Sequence, residues 1–258
     1  MRKIHSLYYH NPSPLGFERM IVYHKKRGYR FIAVGELYEI LKEKRTVHEK
    51  LAFISLDDGW QGNLRLVPVI EKYQVPVCIF VATEPLQSGN FWWEYVAHEA
   101  GPAQMFEFKK LPYQDFYGQL EGFKQRNRLN RSAMTCEELL SLSCHPLVSI
   151  QSHTVNHPIL THSPGDVLDM ELHDSKVWLA DFTGKDVYAF SYPNGSLTAR
   201  EVEACKRYYK IAFTTEQNHI SAGDDMFLLP RYALTGQYHR DLLKVWGIWK
   251  VVKRWLKH

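Results

Sequence analysis

Two adjacent acidic residues follow an apolar run in the segment Ser55-Leu56-Asp57-Asp58-Gly59. Neighbouring side chains at a strand end point in different directions, so one carboxylate can face a metal ion while the other faces water or a substrate. A cation would also offset the repulsion between the two negative charges. Taken alone, the segment is more typical of a solvated Asp-Asp-Gly turn, and a metal site requires further ligands.

Two histidines four residues apart supply such ligands in the segment Ser152-His153-Thr154-Val155-Asn156-His157-Pro158. We expect them to lie on one face of a helical turn, from which both side chains reach the same ion. The alternative is a pair of surface histidines before a proline turn. Combined with the aspartates, the histidines predict an Asp-His-His metal site, a common ligand set that leaves positions open for water and substrate.

A third segment, Phe190-Ser191-Tyr192-Pro193-Asn194-Gly195, also follows an apolar run. A Pro-Asn-Gly turn can present a backbone N–H to a cleft, which suits an oxyanion hole. On its own, the segment is more typical of an ordinary turn.

Apolar runs alternate with amphipathic stretches along most of the chain. The pattern predicts strands over 4–9, 28–34, 51–56, 77–81, 147–151, 187–192 and 211–215, and helices over 16–26, 36–44, 67–73, 166–181 and 197–209, with another beginning near Thr135. This order predicts a parallel α/β sheet or barrel, in which the chemistry lies beyond the carboxyl ends of the strands. The three segments described above all occupy that position.

Residues 84–133 interrupt the alternation, and they are rich in aromatic, Gly and Pro residues. They predict an inserted, partly helical segment rather than a separate domain. Its Phe91-Trp92-Trp93 run either forms a wall on which a sugar stacks or packs the core of the insertion.

Composition excludes several classes of protein. The chain has 258 residues, of which 45% are hydrophobic and 23% charged, as in a single soluble globular domain. A net charge of +4 without a long basic run argues against nucleic-acid binding. We find no signal peptide, no apolar stretch of the roughly 20 residues that span a membrane, and no CxxC spacing, so we expect a cytoplasmic protein with free thiols.

The three segments, in this order, resemble the motifs of the polysaccharide deacetylases, the NodB-homology enzymes of carbohydrate esterase family four. The matching residues are Asp57-Asp58, His153-Thr154-Val155-Asn156-His157 and Tyr192-Pro193-Asn194-Gly195, and the resemblance spans about residues 5–235. It implies a distorted (β/α) barrel of about seven parallel strands that carries an inserted segment. It also implies that the chain is a metal-dependent carbohydrate N-deacetylase.

The resemblance assigns a role to each residue of the expected site. Asp58, His153 and His157 would bind one divalent metal ion, most simply Zn²⁺. Asp57 would be the general base that takes a proton from the attacking water. The backbone N–H of Asn194 would help to hold the tetrahedral oxyanion.

One departure from the family pattern concerns the third motif, which often begins with Arg. Ser191 occupies that position here. We expect Arg231, from a different part of the chain, to supply the missing positive charge beside Asp57.

A second departure concerns the general acid, because the late Leu-x-x-His motif is missing and His239 lies outside that context. A permuted branch, resembling the poly-N-acetylglucosamine deacetylases, carries its acid histidine in an N-terminal Tyr-His motif. Tyr8-Tyr9-His10 matches that arrangement and predicts that His10 protonates the leaving amine. The alternative is a structural histidine at a strand end.

Residues 240–258 predict a basic amphipathic helix, with Leu, Val and Trp on one face and Lys and Arg on the other. Such a helix lies either on an anionic membrane surface or on the protein's own core. We therefore divide the chain into a catalytic domain over residues 1–239 and this C-terminal helix. The membrane alternative would place the protein at the inner face of the membrane.

These observations predict hydrolytic removal of an acetyl or formyl group from an amino sugar. The expected substrate is a surface-polysaccharide precursor, as in O-antigen or capsule biosynthesis, or a lipid-linked glycan precursor. One alternative is a catalytically silent carbohydrate-binding protein on the same fold. Another is a metal-dependent amidase that acts on an amide other than a sugar.

Overall fold

The structure, a computed structural model, describes residues 2–246 as parallel strands that alternate with helices. The strands are β1 (His5–Tyr9), β2 (Arg30–Phe31), β3 (Leu51–Asp58), β4 (Val77–Val81), β5 (Val148–Ser152), β6 (Ala189–Ser191), β7 (Ile211–Phe213) and β8 (Tyr232–Ala233). The helices are α1 (Pro14–Lys26), α2 (Val34–Lys42), α3 (Val67–Tyr73), α4 (Glu84–Ser88), α5 (Trp92–Ala100), α6 (Met105–Phe108), α7 (Tyr113–Arg126), α8 (Cys136–Ser143), α9 (Gly165–Thr183), α10 (Ala199–Tyr208) and α11 (Tyr238–Val245). The predicted α/β class is confirmed.

Seven strands form one curved sheet in the order β7-β6-β5-β4-β3-β1-β8, and β2 pairs with the start of β3. The strand pairings within residues 2–246 are parallel. Leu229 forms a parallel bridge to Phe213 at one edge, while β8 pairs with β1 at the other. The chain between Leu229 and β8 therefore connects the two edges, and the predicted distorted barrel of parallel strands is confirmed.

Strand β3 is buried along its whole length, because helices cover one face and the barrel interior lies against the other. Ala52 and Ile54 belong to the core beneath the helices, whereas Phe53 stacks inside the barrel on Phe213 with ring centroids 5.0 Å apart. Since side chains alternate with period two, Asp57 continues the interior row that contains Phe53. The strand thus delivers this carboxylate to the inside of the barrel.

The start of α8 follows the predicted capping pattern. The Thr135 hydroxyl accepts a hydrogen bond from the Glu138 N–H at 3.1 Å, and the Glu138 carboxylate accepts one from the Thr135 N–H at 2.8 Å. Two backbone donors that a helix start leaves without partners are thereby satisfied.

Residues 84–133 contain α4 to α7 and form a small core of their own. That core consists of Trp92, Tyr95, Val96, Phe108, Phe116 and Leu120. Trp92 therefore packs the insertion, as one alternative predicts, while the half-buried Trp93 lines the large cleft described below. Core packing therefore does not describe the whole Phe91-Trp92-Trp93 run, and neither does a wall that faces a sugar.

The predicted boundaries differ from the structure in two instructive places. Strand β3 extends to Asp58, so the acidic pair lies within the strand, where Asp57 pairs with Phe80 and Asp58 with Val81. Helix α11 covers only the first part of the predicted helix over 240–258, and residues 247–258 lie outside those that the structure describes. None of the helices within residues 2–246 combines the length and apolar character needed to cross a membrane.

Candidate metal centre and active site

A cleft of about 630 Å³ opens at the carboxyl ends of the strands. Six of the predicted site residues line it, namely His10, Asp57, Asp58, His153, His157 and Asn194. The seventh, Arg231, lies beneath Asp57 and is completely buried. The structure therefore brings together the end of β3, the loops after β1, β5 and β6, and the residue before β8.

Three buried side chains converge on one point of this cleft. The Oδ1 atom of Asp58 lies 3.4 Å from Nε2 of His153 and 3.5 Å from Nε2 of His157. In a tetrahedral zinc site with bonds of about 2.0–2.1 Å, neighbouring ligand atoms lie roughly 3.3–3.5 Å apart. The spacing of these three atoms therefore fits a single ion of that size.

The protonation of these three side chains also indicates a cation site, because their lone pairs face one another. Nδ1 of His153 donates to the carbonyl oxygen of Ser191 at 2.6 Å, which leaves the Nε2 lone pair facing Asp58. Burial lowers the pKa of His157 to about 3, so its imidazole is neutral at physiological pH. Oδ1 of Asp58 is buried and accepts no hydrogen bond within residues 2–246. Lone pairs that meet without a proton between them repel each other unless a cation lies there.

The second oxygen of Asp58 is fixed by a neighbouring indole. Nε1 of Trp60 donates to Oδ2 of Asp58 at 2.8 Å. Burial alone would raise the pKa of Asp58, but the nearby His10, His153 and His157 bring it below its ordinary value. Asp58 is therefore ionised at neutral pH, as a metal ligand must be.

The backbone around the candidate ligands is strained. Asp58, Thr154 and His157 have φ values of 79°, 71° and 55° respectively, in the left-handed region that non-glycine residues rarely adopt. Each such residue costs on the order of 1–3 kcal/mol and persists only where its surroundings enforce it. The predicted helical turn over 153–157 is wrong, because these residues form an irregular loop. The histidines converge through two left-handed residues rather than through helical spacing.

A buried carboxylate on α9 holds this loop. Oε2 of Glu171 accepts hydrogen bonds from the backbone N–H groups of Val155 and Asn156 at 2.8 and 2.9 Å. Its Oε1 accepts a third from Nδ2 of Asn156 at 2.7 Å. Within the loop, the Thr154 hydroxyl accepts from the His157 N–H at 3.0 Å. These contacts replace the hydrogen bonds that a helix would have made.

Asp57 forms a two-point ion pair with Arg231 inside the barrel. Nη1 of Arg231 donates to Oδ1 of Asp57 at 2.8 Å, and Nη2 donates to Oδ2 at 2.9 Å. Ser55 and Ser191 accept further hydrogen bonds from the guanidinium at 3.0 and 2.7 Å. The Tyr8 ring covers the guanidinium, with its centroid 4.3 Å from Cζ. Arg231 thus occupies the position beside Asp57 that the sequence analysis expects.

His10 and Asn194 lie at the cleft in different settings. The His10 side chain is exposed, and its ring meets the Tyr8 ring edge-on with the centroids 5.6 Å apart. Asn194 has a φ of 57°, which asparagine tolerates better than most residues. Its side-chain oxygen accepts a hydrogen bond from Nζ of Lys109 at 2.5 Å.

Trp60, Glu171 and Lys109 make important contacts that the sequence analysis did not single out. Trp60 directly follows the Asp-Asp-Gly segment, so its place in the sequence could have predicted a contact with Asp58. Glu171 and Lys109 lie far along the chain from the groups that they contact. No local pattern connects them to the site, and only the fold brings them there.

Comparison with known proteins gives one family match and several structures of similar fold. Residues 44–210 match the family model described as polysaccharide deacetylase. The protein YxkH of Bacillus subtilis (strain 168), a candidate polysaccharide deacetylase, is 23% identical over 217 residues, which cover 83% of this chain and 62% of that protein. The chain thus spans about three fifths of the length of this curated relative.

Two solved structures have a similar fold. The Streptococcus pyogenes deacetylase PplD in complex with acetate superposes with a TM-score of 0.71 and 21% identity, over 95% of this chain and 98% of that one. IcaB from Ammonifex degensii gives a TM-score of 0.70 and 18% identity, over 96% and 98% of the two chains. At these identities, the likeness supports the fold.

Proposed function

The chain belongs to the polysaccharide deacetylase family, and from this membership we propose that it is a metal-dependent hydrolase that removes the N-acyl group of an amino sugar. The acyl group is most simply acetyl, with formyl as a close variant. The substrate is a surface-polysaccharide or lipid-linked glycan precursor. One observation carries the proposal: three buried ligand atoms converge beside a second carboxylate that is locked to a buried arginine.

Asp58, His153 and His157 are the residues that would hold the ion. Two imidazoles and one carboxylate form a donor set that suits zinc and leaves room for water and substrate. When bound, such an ion polarises the amide carbonyl and makes the attacking water more acidic. The bond from His153 to the Ser191 carbonyl and the bond from Trp60 to Asp58 orient two of the ligands in advance.

Asp57 is the proposed general base. Arg231 is always charged, and its planar fork fixes the direction of both carboxylate oxygens. Oδ2 of Asp57 accepts from Arg231 and from the Ser191 hydroxyl, and Oδ1 accepts from Arg231. Since each carboxylate oxygen has two lone-pair positions, Oδ1 keeps acceptor capacity in the cleft that Asp57 lines. There Asp57 accepts a proton from the attacking water.

His10 and Asn194 complete the proposed reaction. His10 gives a proton to the nitrogen of the leaving amine, which departs as a neutral amine rather than as an unstable anion. Its exposed position on the cleft allows the imidazole to regain that proton from solvent. The backbone N–H of Asn194 donates to the oxygen that becomes negative when water adds to the carbonyl carbon.

Metal content and acyl release test the proposal together. Wild type should bind about one zinc per chain and release acetate or formate from N-acylated amino sugars, whereas His157→Ala should bind far less zinc. His173→Ala is the matched control, because His173 is exposed on α9 and outside the cleft. Asp57→Asn should keep the metal but lose acyl release.

Three results would contradict the proposal. Little zinc in wild type, even after incubation with excess metal, would mean that the three residues are not a metal site. Sugar binding with bound zinc but no acyl release from any substrate would favour the silent carbohydrate-binding alternative. Release from non-sugar amides alone would point instead to an amidase.

A further inference from the structure

Lys109 brings an ammonium group into the proposed active-site cleft. It directly follows α6 in the insertion and lines the cleft together with Asp58 and His157. Its Nζ donates to the side chain of Asn194, which belongs to the third family motif. The insertion therefore places a cation among residues that lie at the carboxyl ends of the barrel strands.

Within residues 2–246 Lys109 forms no ion pair, and the acid whose charge acts on it is Asp58 of the same cleft. Lys110 forms an ion pair with Glu107 at 2.7 Å, and Lys124 forms one with Glu84 at 2.9 Å. Lys109 has no carboxylate within 4.0 Å among residues 2–246, although it is half-buried. Partial burial of a cation without a counter-ion is unfavourable, and an anionic ligand would reverse that cost.

A second unused donor lies next to this cation. Lys109 occupies the side-chain oxygen of Asn194, while Nδ2 of Asn194 is buried and contacts no acceptor within the described part of the chain. Buried donors in folded proteins normally have a partner. The Lys109 ammonium keeps N–H groups beyond the one that it gives to Asn194, so it and Nδ2 of Asn194 are adjacent donors suited to the oxygens of an anion.

The other charged groups of the cleft would not neutralise the positive charge of Lys109 once a metal is bound. Asp57 and Asp58 are the acidic residues of the lining. Arg231 neutralises Asp57, and a divalent ion would more than neutralise Asp58. The cleft with its metal would therefore carry a net positive charge. Such a charge attracts anionic ligands and gives no advantage in binding an uncharged sugar.

We propose that Lys109 determines specificity and that the substrate is an N-acylated amino sugar carrying an anionic group, either a carboxylate or a phosphate. This inference rests on the proposed function, because it deepens the description of the same cleft. The ammonium binds the anionic group and thereby orients the sugar, and it takes no part in the proton transfers. Lys109 should therefore affect substrate binding rather than the rate of the chemical step.

Equilibrium binding tests the inference without requiring turnover. Calorimetry at constant ionic strength would compare N-acetylglucosamine, N-acetylglucosamine 1-phosphate and N-acetylmuramic acid, so that the phosphate and carboxylate sources are separated. Each titration would be made with zinc-loaded and with metal-free protein, because phosphate can also contact the ion. Zinc-loaded wild type should bind one of the anionic sugars more tightly than the neutral sugar. In the metal-free protein Asp58 offsets part of the Lys109 charge, so the preference should be smaller there but should still depend on Lys109.

Three variants identify the group responsible. Lys109→Met should weaken binding of the preferred anionic sugar roughly tenfold or more and leave binding of the neutral sugar unchanged. Lys109→Arg should restore most of the preference, because it restores the charge. Lys110→Met is the matched control, since Lys110 is exposed and outside the lining of the cleft.

Several results would overturn the inference. Wild type that binds the three sugars alike, or binds none of them, would exclude charge recognition. Equal weakening for neutral and anionic sugars in Lys109→Met would give Lys109 a structural role. With active protein, a fall in kcat on a neutral substrate would assign it to the chemical step instead. Charge-selective binding without acyl release would contradict only the proposed function.

Discussion

Arg231 and Asp57 form a buried ion pair, with the Arg231 side chain 0% exposed and the Asp57 side chain 3% exposed. Two charges in such a place are stable only when each keeps its partner, because removal of one leaves the other buried and uncompensated. This pair therefore links the folding of the barrel to the chemistry of the cleft. A change to Arg231 should affect both.

We expect Arg231→Gln to lower the free energy of unfolding by about 3–5 kcal/mol, the usual cost of breaking a buried pair. Urea denaturation would measure the change. Arg30→Gln is the control, since Arg30 pairs with Glu49 at 3.0 Å on the surface and should cost less than about 1 kcal/mol. The double variant Asp57→Asn, Arg231→Gln should be more stable than the two single effects predict by addition. Strict additivity would mean that the two charges are energetically independent.

Loop 153–157 and helix α9 form the element on which the candidate ligands depend. The loop has left-handed residues at Thr154 and His157, and Glu171 satisfies backbone donors that the loop itself cannot pair. The positions of His153 and His157 thus depend on the Glu171 carboxylate, although it contacts neither imidazole. Glu171 is a positioning residue for the proposed metal site.

We expect Glu171→Gln to weaken zinc binding roughly 10- to 100-fold, the range typical of groups that orient metal ligands. With the glutamine oxygen on the two backbone N–H groups, its NH2 group would face Nδ2 of Asn156, so the Asn156 amide must turn round or lose its hydrogen bond. In either case the charge that strengthens the hydrogen bonds to the loop is lost. Competition with a chelator would measure the affinity. Asp174→Asn, an exposed change on the same helix, is the control. Unchanged zinc affinity together with reduced stability would limit Glu171 to a purely structural role.

Most elements of the fold could be predicted because their signals are local. The alternation of apolar runs with amphipathic stretches indicated the strands and helices, and the capping residues indicated the start of α8. The loop over 153–157 could not be predicted, because a spacing of four residues fits a helical turn equally well. Its true shape depends on Glu171, which no local pattern connects to it. The same applies to Lys109, since the packing of the insertion decides where it lies.

At the scale of the whole molecule, a cluster of histidines lies at the end of the barrel where β1 begins. Nδ1 of His5 lies 3.1 Å from Nε2 of His24, and the His5 ring stacks on His219 with centroids 3.9 Å apart. Nε2 of His219 donates to the carbonyl oxygen of Val245 at 2.9 Å, which connects α11 to this end of the barrel. The cluster joins three distant parts of the chain through neutral imidazoles.

We expect stability to fall as the solution becomes acidic. Burial lowers the pKa of His24 and of His219 to about 4, below the 6.5 of an ordinary histidine. Below pH 6.5 these histidines are therefore protonated in the unfolded chain but stay neutral in the folded chain. The free energy of unfolding decreases as the pH falls, until the pH is near 4. Each histidine contributes up to about 1.4 kcal/mol per pH unit in that window and nothing above it.

Denaturation of metal-free protein at a series of pH values would measure this slope. His219→Asn should flatten the slope between pH 6.5 and 4, whereas His173→Asn, at an exposed position, should leave it unchanged. An identical slope in wild type and His219→Asn would show that His219 is not among the groups responsible.

The C-terminal part of the chain carries the predicted contact with a membrane surface. In α11, Asp241 is buried and accepts from the backbone N–H groups of Thr235 and Gly236, so this helix packs on the barrel. The predicted contact with a membrane surface falls mainly on residues 247–258. Removing 247–258 should therefore abolish binding to anionic liposomes in a sedimentation assay and leave the unfolding midpoint unchanged. Full retention on the liposomes would contradict the membrane prediction.

The insertion over 84–133 has its own small core, and it supplies Trp93 and Lys109 to the rim of a cleft whose candidate metal ligands come from the barrel. Under the proposed function, the groups that recognise the substrate and the groups that cleave its amide bond therefore come from separate segments of the chain. Substitutions in the insertion could then change the choice of substrate without moving the candidate metal ligands.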